Sequence, residues 1–127
     1  MKPVFLGNVP VGDGHPVVLA AEIGTFFNQD MGLARAYLDG VVEAGVPVFK
    51  TEILHDPDVC LKSSGLQIKF NHSAGSQVEE YRALIERKTV PLGEYAKLFS
   101  ECRDRGIPFL ASVYDFEGVD FLVAEGG

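Results

Sequence analysis

Five polar side chains stand where apolar runs stop, and their types suit work on an anionic small molecule. Residues 17–21 are apolar and lead into Glu22. Residues 46–49 lead into Lys50, with Glu52 two positions on, and a third apolar run ends at Ser112, with Asp115 three residues later. An ionised carboxylate at the end of a buried strand costs free energy unless it is solvated, paired or used. A cation flanked by carboxylates suits a phosphorylated or carboxylated substrate, because lysine binds such groups as a compact point charge and a carboxylate beside it can handle protons. Glu22 is therefore the candidate catalytic residue, and Lys50, Glu52, Ser112 and Asp115 are candidates for substrate binding. Four of the five have a plainer reading. Lys50 and Glu22 would only neutralise each other, Asp115 would only cap a following helix, and Ser112 would be a strand residue with no task.

These residues need elements that bring them together. Residues 4–11 read as a short extended ribbon, followed by a Gly-Asp-Gly-His-Pro turn at 12–16. A buried first strand is expected at about 17–23. A helix at 31–44 has Asp30 as its N-cap and an apolar stripe of Leu33, Tyr37, Leu38, Val41 and Ala44, and Gly45 ends it. The second strand covers 46–51, extending toward Leu54. A long connection over 55–75 holds a short alternating strand at 66–70. Ser76 with Glu79 reads as a capping box that opens a second helix. A third helix at 91–105 carries Tyr95, Leu98, Phe99 and Cys102 on one face. The third strand, 107–113, leads to a last helix near Phe116. Strands alternating with helices imply a parallel sheet with helical crossovers, either open or closed into a barrel. In such sheets ligand sites lie at the carboxyl ends of the strands, where the five candidates fall.

The totals limit the function. A chain of 127 residues supports one modest core, and its net charge of −7 argues against nucleic acid or an anionic membrane as the main partner. No apolar run reaches 18 residues, and no signal-peptide core follows Met1, so the expected location is cytoplasmic. Cys60 and Cys102 match no zinc spacing and read as free structural thiols. His15, His55 and His72 are scattered, so no metal site built from this chain alone is expected. Nucleotide-binding fingerprints, Gly-x-Gly-x-x-Gly after the first strand or a Gly-Lys-Ser/Thr loop, are absent.

Four segments resemble the N-terminal part of the sialic acid (N-acetylneuraminate) synthase family, which includes legionaminate and pseudaminate synthases. They are the Gly14-His15-Pro16 turn; Ala21-Glu22-Ile23-Gly24 followed by Asn28 and Asp30; Lys50 in the second strand; and residues 109–115 followed by Val119-Asp120-Phe121-Leu122. The resemblance implies a (β/α)8 TIM barrel of which residues 1–127 hold about the first three βα units, a partial barrel. It implies a cytoplasmic transferase of carbohydrate biosynthesis. Phosphoenolpyruvate would condense with an N-acetylated amino sugar of the N-acetylmannosamine type, phosphate would leave, and a divalent metal (Mn or Mg) would activate the aldehyde. The metal's ligands would not lie in this chain, and the complete enzyme would be a homo-oligomer. Lys50 would meet the phosphoenolpyruvate phosphate or carboxylate, Glu22 the reacting centre or sugar hydroxyls, and Ser112 and Glu52 the sugar.

The chain departs from that family in ways that bear on function. Phe26-Phe27 replaces an Asn-His pair, Glu52 stands at the family's glutamine, and Val113 stands at its proline. Glu52 adds a negative charge near two anionic substrate groups. A complete barrel needs about 200 residues or more, so the chain by itself is expected to be inactive, with open strand edges that favour association. Two other readings stay open. One is a non-catalytic half-barrel relative used for binding or assembly. The other is a different sugar-phosphate barrel enzyme, an aldolase or isomerase.

Overall fold

The computed structural model describes residues 2–59 and 65–127. Cys60 lies outside the described residues, and so does the expectation of a free thiol there. Seven strands and four α-helices follow in chain order among the described residues: β1 Val4–Leu6, β2 Val9–Val11, β3 Ala20–Glu22, α1 Met31–Glu43, β4 Val48–Ile53, β5 Gln67–His72, β6 Gly75–Glu80, α2 Tyr81–Lys88, α3 Leu92–Asp104, β7 Phe109–Val113 and α4 Phe116–Ala124. A single 3-10 turn, Pro57–Val59, follows β4. No helix among them is long and apolar enough to cross a membrane.

The centre is a parallel three-stranded sheet in the order β3-β4-β7, as the alternation of strands and helices implies. Its registers pair Glu22 with Lys50 and Glu52 with Ser112. One face of this sheet carries the core. Phe49 and Ile53 of β4 and Phe109 of β7 pack with Ala34, Leu38 and Val41 of α1 and Tyr95, Leu98, Phe99 and Cys102 of α3. All four expected residues on the α3 face are buried. The thiol of Cys102 is free and buried, and that burial pushes its pKa up to about 12, so it serves as packing rather than as a nucleophile.

Three expectations change. The first strand shrinks to Ala20–Glu22, and Val17 and Leu19 are 91% and 66% exposed. The reason is position: β3 is an edge strand with β4 as its only paired neighbour in the sheet, so its apolar lead-in has no covering layer here. On α1 the buried residues are Ala34, Leu38 and Val41, while Leu33 and Tyr37 face out. A small alanine permits close helix approach, and the packed face turns toward α3 accordingly. The Ser76–Glu79 capping box does not form. Residues 75–80 are instead the second strand of an antiparallel hairpin, with Asn71 paired to Ser76 and Ile68 to Glu79. Glu80 takes over the capping task, accepting from the Ala83 N–H at 2.9 Å as α2 begins.

The hairpin and α2 are fastened to the end of β4. Arg82 of α2 forms ion pairs with Asp58 at 2.7 Å and Glu86 at 2.8 Å, and donates to the Pro57 carbonyl at 3.2 Å. The Val90 N–H donates to the Leu54 carbonyl at 2.9 Å. The chain leaving β4 therefore returns to the same sheet edge, and α2 ends over the loop that follows β3.

Candidate functional site

The carboxyl ends of β3, β4 and β7 lie on one side of the sheet because the strands are parallel. Residues in register on adjacent strands share a face, and alternate residues along a strand share it too. Glu22, Lys50, Glu52 and Ser112 thus occupy the face opposite Phe49, Thr51 and Ile53, which are buried beneath the helices. The Lys50 ammonium donates to Glu22 Oε1 in an ion pair between partly exposed side chains. The backbone locks the same two strands, the Ile23 N–H donating to the Lys50 carbonyl at 2.9 Å. The Tyr114 hydroxyl donates to Glu52 Oε2 at 2.8 Å.

The loop after β3 shapes the rim. Gly24 adopts φ +51°, a left-handed conformation glycine takes freely, and its carbonyl accepts the buried Thr51 hydroxyl at 2.9 Å. Asn28 is also left-handed, at φ 52°, which asparagine tolerates better than most residues. Gln29 ties the loop to the end of α2, its amide donating to the Glu86 and Thr89 carbonyls at 3.1 and 3.0 Å. Lys88, at the end of α2, reaches back to the same loop. Its ammonium donates to the Thr25 carbonyl at 3.3 Å and lies 5.2 Å from the centroid of the Phe26 ring.

Asp115 has other work close at hand. It caps α4, accepting the Gly118 N–H at 2.7 Å, and His55 Nε2 sits 3.1 and 2.9 Å from its two oxygens. The Gly118 bond first, and His55 next among the stabilising contacts, hold its carboxyl below the ordinary 3.8. A carboxyl depressed by folding contributes stability that is full above its unfolded value, here near 3.8, and is lost as pH falls through the lower folded value. Asp115→Ala should cost about 1 kcal/mol at neutral pH through the lost cap. Asp115→Asn should keep the cap and flatten the acid side of a plot of urea midpoint against pH from 6 to 2. An unaltered acid limb in Asp115→Asn would show that Asp115 is not the titrating group.

His55, Asp115 and Glu117 offer donor atoms that lie within 4.8 Å of one another. Two of these groups already have work within the fold. His55 Nε2 already faces both Asp115 oxygens, and Asp115 sits at the positive end of α4, which disfavours a cation. A cleft of about 690 Å³ lies at the opposite end of the sheet, between the β1–β2 ribbon and the start of β7. Leu6, Pro108, Phe109 and Gly127 are among the residues that line it, and none of the five candidates does.

The strand-end candidates thus fall into two groups. Glu22, Lys50, Glu52 and Ser112 are gathered on one sheet face, and Asp115 stands apart with His55. Sequence reading passed over His55, Lys88 and Tyr114. His55 and Tyr114 had a signal, since each follows a strand end closely. Lys88 had none, because its place depends on a hairpin and a helix start that local pattern misassigned.

The NeuB family sequence pattern matches residues 37–126. The Bacillus subtilis (strain 168) spore coat polysaccharide biosynthesis protein SpsE is 27% identical over 122 residues, which cover 96% of this chain and 32% of SpsE. The chain therefore spans about a third of the length of that relative. Its fold is similar to that of the N-acetylneuraminic acid (sialic acid) synthetase of Leptospira borgpetersenii serovar Hardjo-bovis, solved in complex with citrate. That match has a TM-score of 0.76 at 21% identity and covers 98% of this chain and 39% of the other. The crystal structure of SpsE itself superposes with a TM-score of 0.66 at 22% identity, over 98% of this chain and 31% of that one.

Proposed function

The chain belongs to the NeuB family and corresponds to the N-terminal part of a sialic acid synthase, and from that membership we propose that it supplies the first three βα units of a TIM-barrel synthase. The complete enzyme condenses phosphoenolpyruvate with an N-acetylated amino sugar of the N-acetylmannosamine type. Carbon C3 of phosphoenolpyruvate attacks the sugar aldehyde, water adds at C2, and phosphate departs with cleavage of its C–O bond. The product is a nine-carbon sialic acid. The enzyme is a cytoplasmic transferase and acts as a homo-oligomer. The ligands of its divalent metal, Mn or Mg, lie outside these 127 residues.

One observation carries this reading: Glu22, the last residue of β3, meets Lys50 in the middle of the adjacent parallel strand β4, on the face that also bears Glu52 and Ser112. In this reading Lys50 holds an anionic group of phosphoenolpyruvate, and Glu22 accepts or carries a proton at the centre beside it. In the same reading Glu52 and Ser112, in register further along that face, meet the sugar hydroxyls. Asp115 remains a candidate contact at the outer rim, alongside its structural work with His55. The alternative of a non-catalytic binding relative is favoured by Phe26, Phe27 and Glu52, which depart from the family's residues, and opposed by the intact Glu22–Lys50 pair.

Ligand-induced stabilisation tests the reading on the chain as it stands. Phosphoenolpyruvate at about a hundredfold excess over its Kd should stabilise the fold by about 2.7 kcal/mol, seen as a raised melting temperature, and Lys50→Met should abolish the rise. No shift in the wild type at millimolar phosphoenolpyruvate would remove the synthase site from this segment. The isolated chain should release no phosphate from phosphoenolpyruvate.

A further inference from the structure

Lys88 is a cation with spare donor capacity beside the strand-end residues. The carbonyls at the end of α2 are already served: Ile85 accepts the Thr89 hydroxyl at 2.9 Å, and Glu86 and Thr89 accept the Gln29 amide at 3.1 and 3.0 Å. The neighbouring cations are committed, Arg87 to Glu79 and Arg82 to Asp58 and Glu86. Lys50, at the sheet itself, is taken by Glu22. Among the described residues no carboxylate lies within 4.0 Å of Lys88, so its side chain has the long bond to the Thr25 carbonyl and the Phe26 ring, and Glu52 and Glu79 act on it only from beyond ion-pair range.

Its setting is that of a receptor. The side chain is half-buried where the end of α2 overhangs the loop after β3. Gly24 in that loop packs near Glu52, the carboxylate of which faces the same rim. An ammonium has three donors, and a single 3.3 Å bond leaves donor capacity for a ligand. An aromatic face against the cation excludes water from one side of it.

We propose that the Lys88 ammonium is an anion-binding contact at the rim of the strand-end site, taking a phosphate or carboxylate group of the small-molecule substrate. The proposal rests on reading that rim as a substrate site. Burial pushes the Lys88 pKa down, with Arg87 adding to the fall and Glu52 partly opposing it. A partly desolvated cation gains more from an arriving anion than a fully solvated one does. The contact also answers the charge of Glu52, which would repel an anionic substrate at this rim.

Two probes separate this contact from the function reading. Inorganic phosphate titrated at low salt into the 127-residue chain, followed by lysine side-chain NMR, should shift the Lys88 resonances saturably. Lys88→Met should weaken phosphate binding at least tenfold, Lys88→Arg should retain it, and circular dichroism should show all three folded. Unchanged phosphate affinity in Lys88→Met, or no saturable site in the wild type, overturns the proposal and leaves Lys88 as a clip on the loop. Phosphoenolpyruvate is the second probe. If it binds and depends on Lys50 but not on Lys88, the function reading stands and the contact fails. Should phosphate saturate Lys88 while phosphoenolpyruvate binds no better in the wild type than in Lys50→Met, the contact stands and the function reading fails.

Discussion

Phe99→Ala is expected to lower stability by about 3–5 kcal/mol, the range for removing a fully buried aromatic side chain. Phe99 is wholly buried at the centre of the only extended core among the described residues. Its ring stacks on Phe109 with centroids 4.3 Å apart and planes at 6°, and Tyr95 and Phe121 each lie 6.3 Å away. The substitution removes the link between α3 and β7 and leaves a cavity that the paired strands cannot close. Small domains retain about 5–15 kcal/mol in total, so the loss should take much of what holds the chain folded. Urea denaturation should show a much lower midpoint, with the near-ultraviolet aromatic signal lost first. A loss under about 1 kcal/mol would mean that the stacked cluster is not the seat of stability. Phe116, 88% exposed at the start of α4, is the control, and its alanine variant should change stability by less than about 0.5 kcal/mol.

The contrast between local and distant determinants explains why some of this fold is readable from sequence and some is not. The α3 stripe of Tyr95, Leu98, Phe99 and Cys102 is local and periodic, and the structure buries all of it. Asp30 and Asp115 cap their helices for reasons contained within four residues. The ends of α1, β4 and β7 follow from the same short-range signals. What failed was decided by distant neighbours. Burial of residues 17–21 depends on which strands flank β3, and among the described residues only β4 pairs with it. Whether Ser76 opens a helix or pairs with Asn71 depends on a partner strand, and the hairpin ladder outcompeted a capping pattern that Glu80 could supply four residues later. At the site, Glu22 and Lys50 were legible because both stop apolar runs. Lys88 reaches their rim only through the hairpin, the start of α2 and the Gln29 clamp, none of which has a periodic signature.

Glu22→Gln, made in a chain extended to the length of its relatives, should lower kcat by about 10²–10⁴-fold, the usual loss when a positioned acid–base group is removed. The argument turns on the ion pair. In the present arrangement Lys50 is engaged by Glu22, so an anionic substrate group must displace a carboxylate to reach it. Glutamine has the same shape, keeps an acceptor oxygen and carries no charge, so it competes less for Lys50. The KM for phosphoenolpyruvate should therefore stay level or fall while turnover collapses, the pattern of an interaction used in the transition state rather than in ground-state binding. If Glu22 only accepts a hydrogen bond, the glutamine in its place performs nearly as well and kcat should drop less than about tenfold. A rise in KM with kcat intact would make Glu22 a binding group and nothing more. Lys50→Met supplies the cross-check: with Lys50 absent, removing the charge of Glu22 can no longer relieve competition for it. The double variant should thus lose the KM benefit seen in Glu22→Gln, and strict additivity of the two changes would show that the pair does not act as a unit.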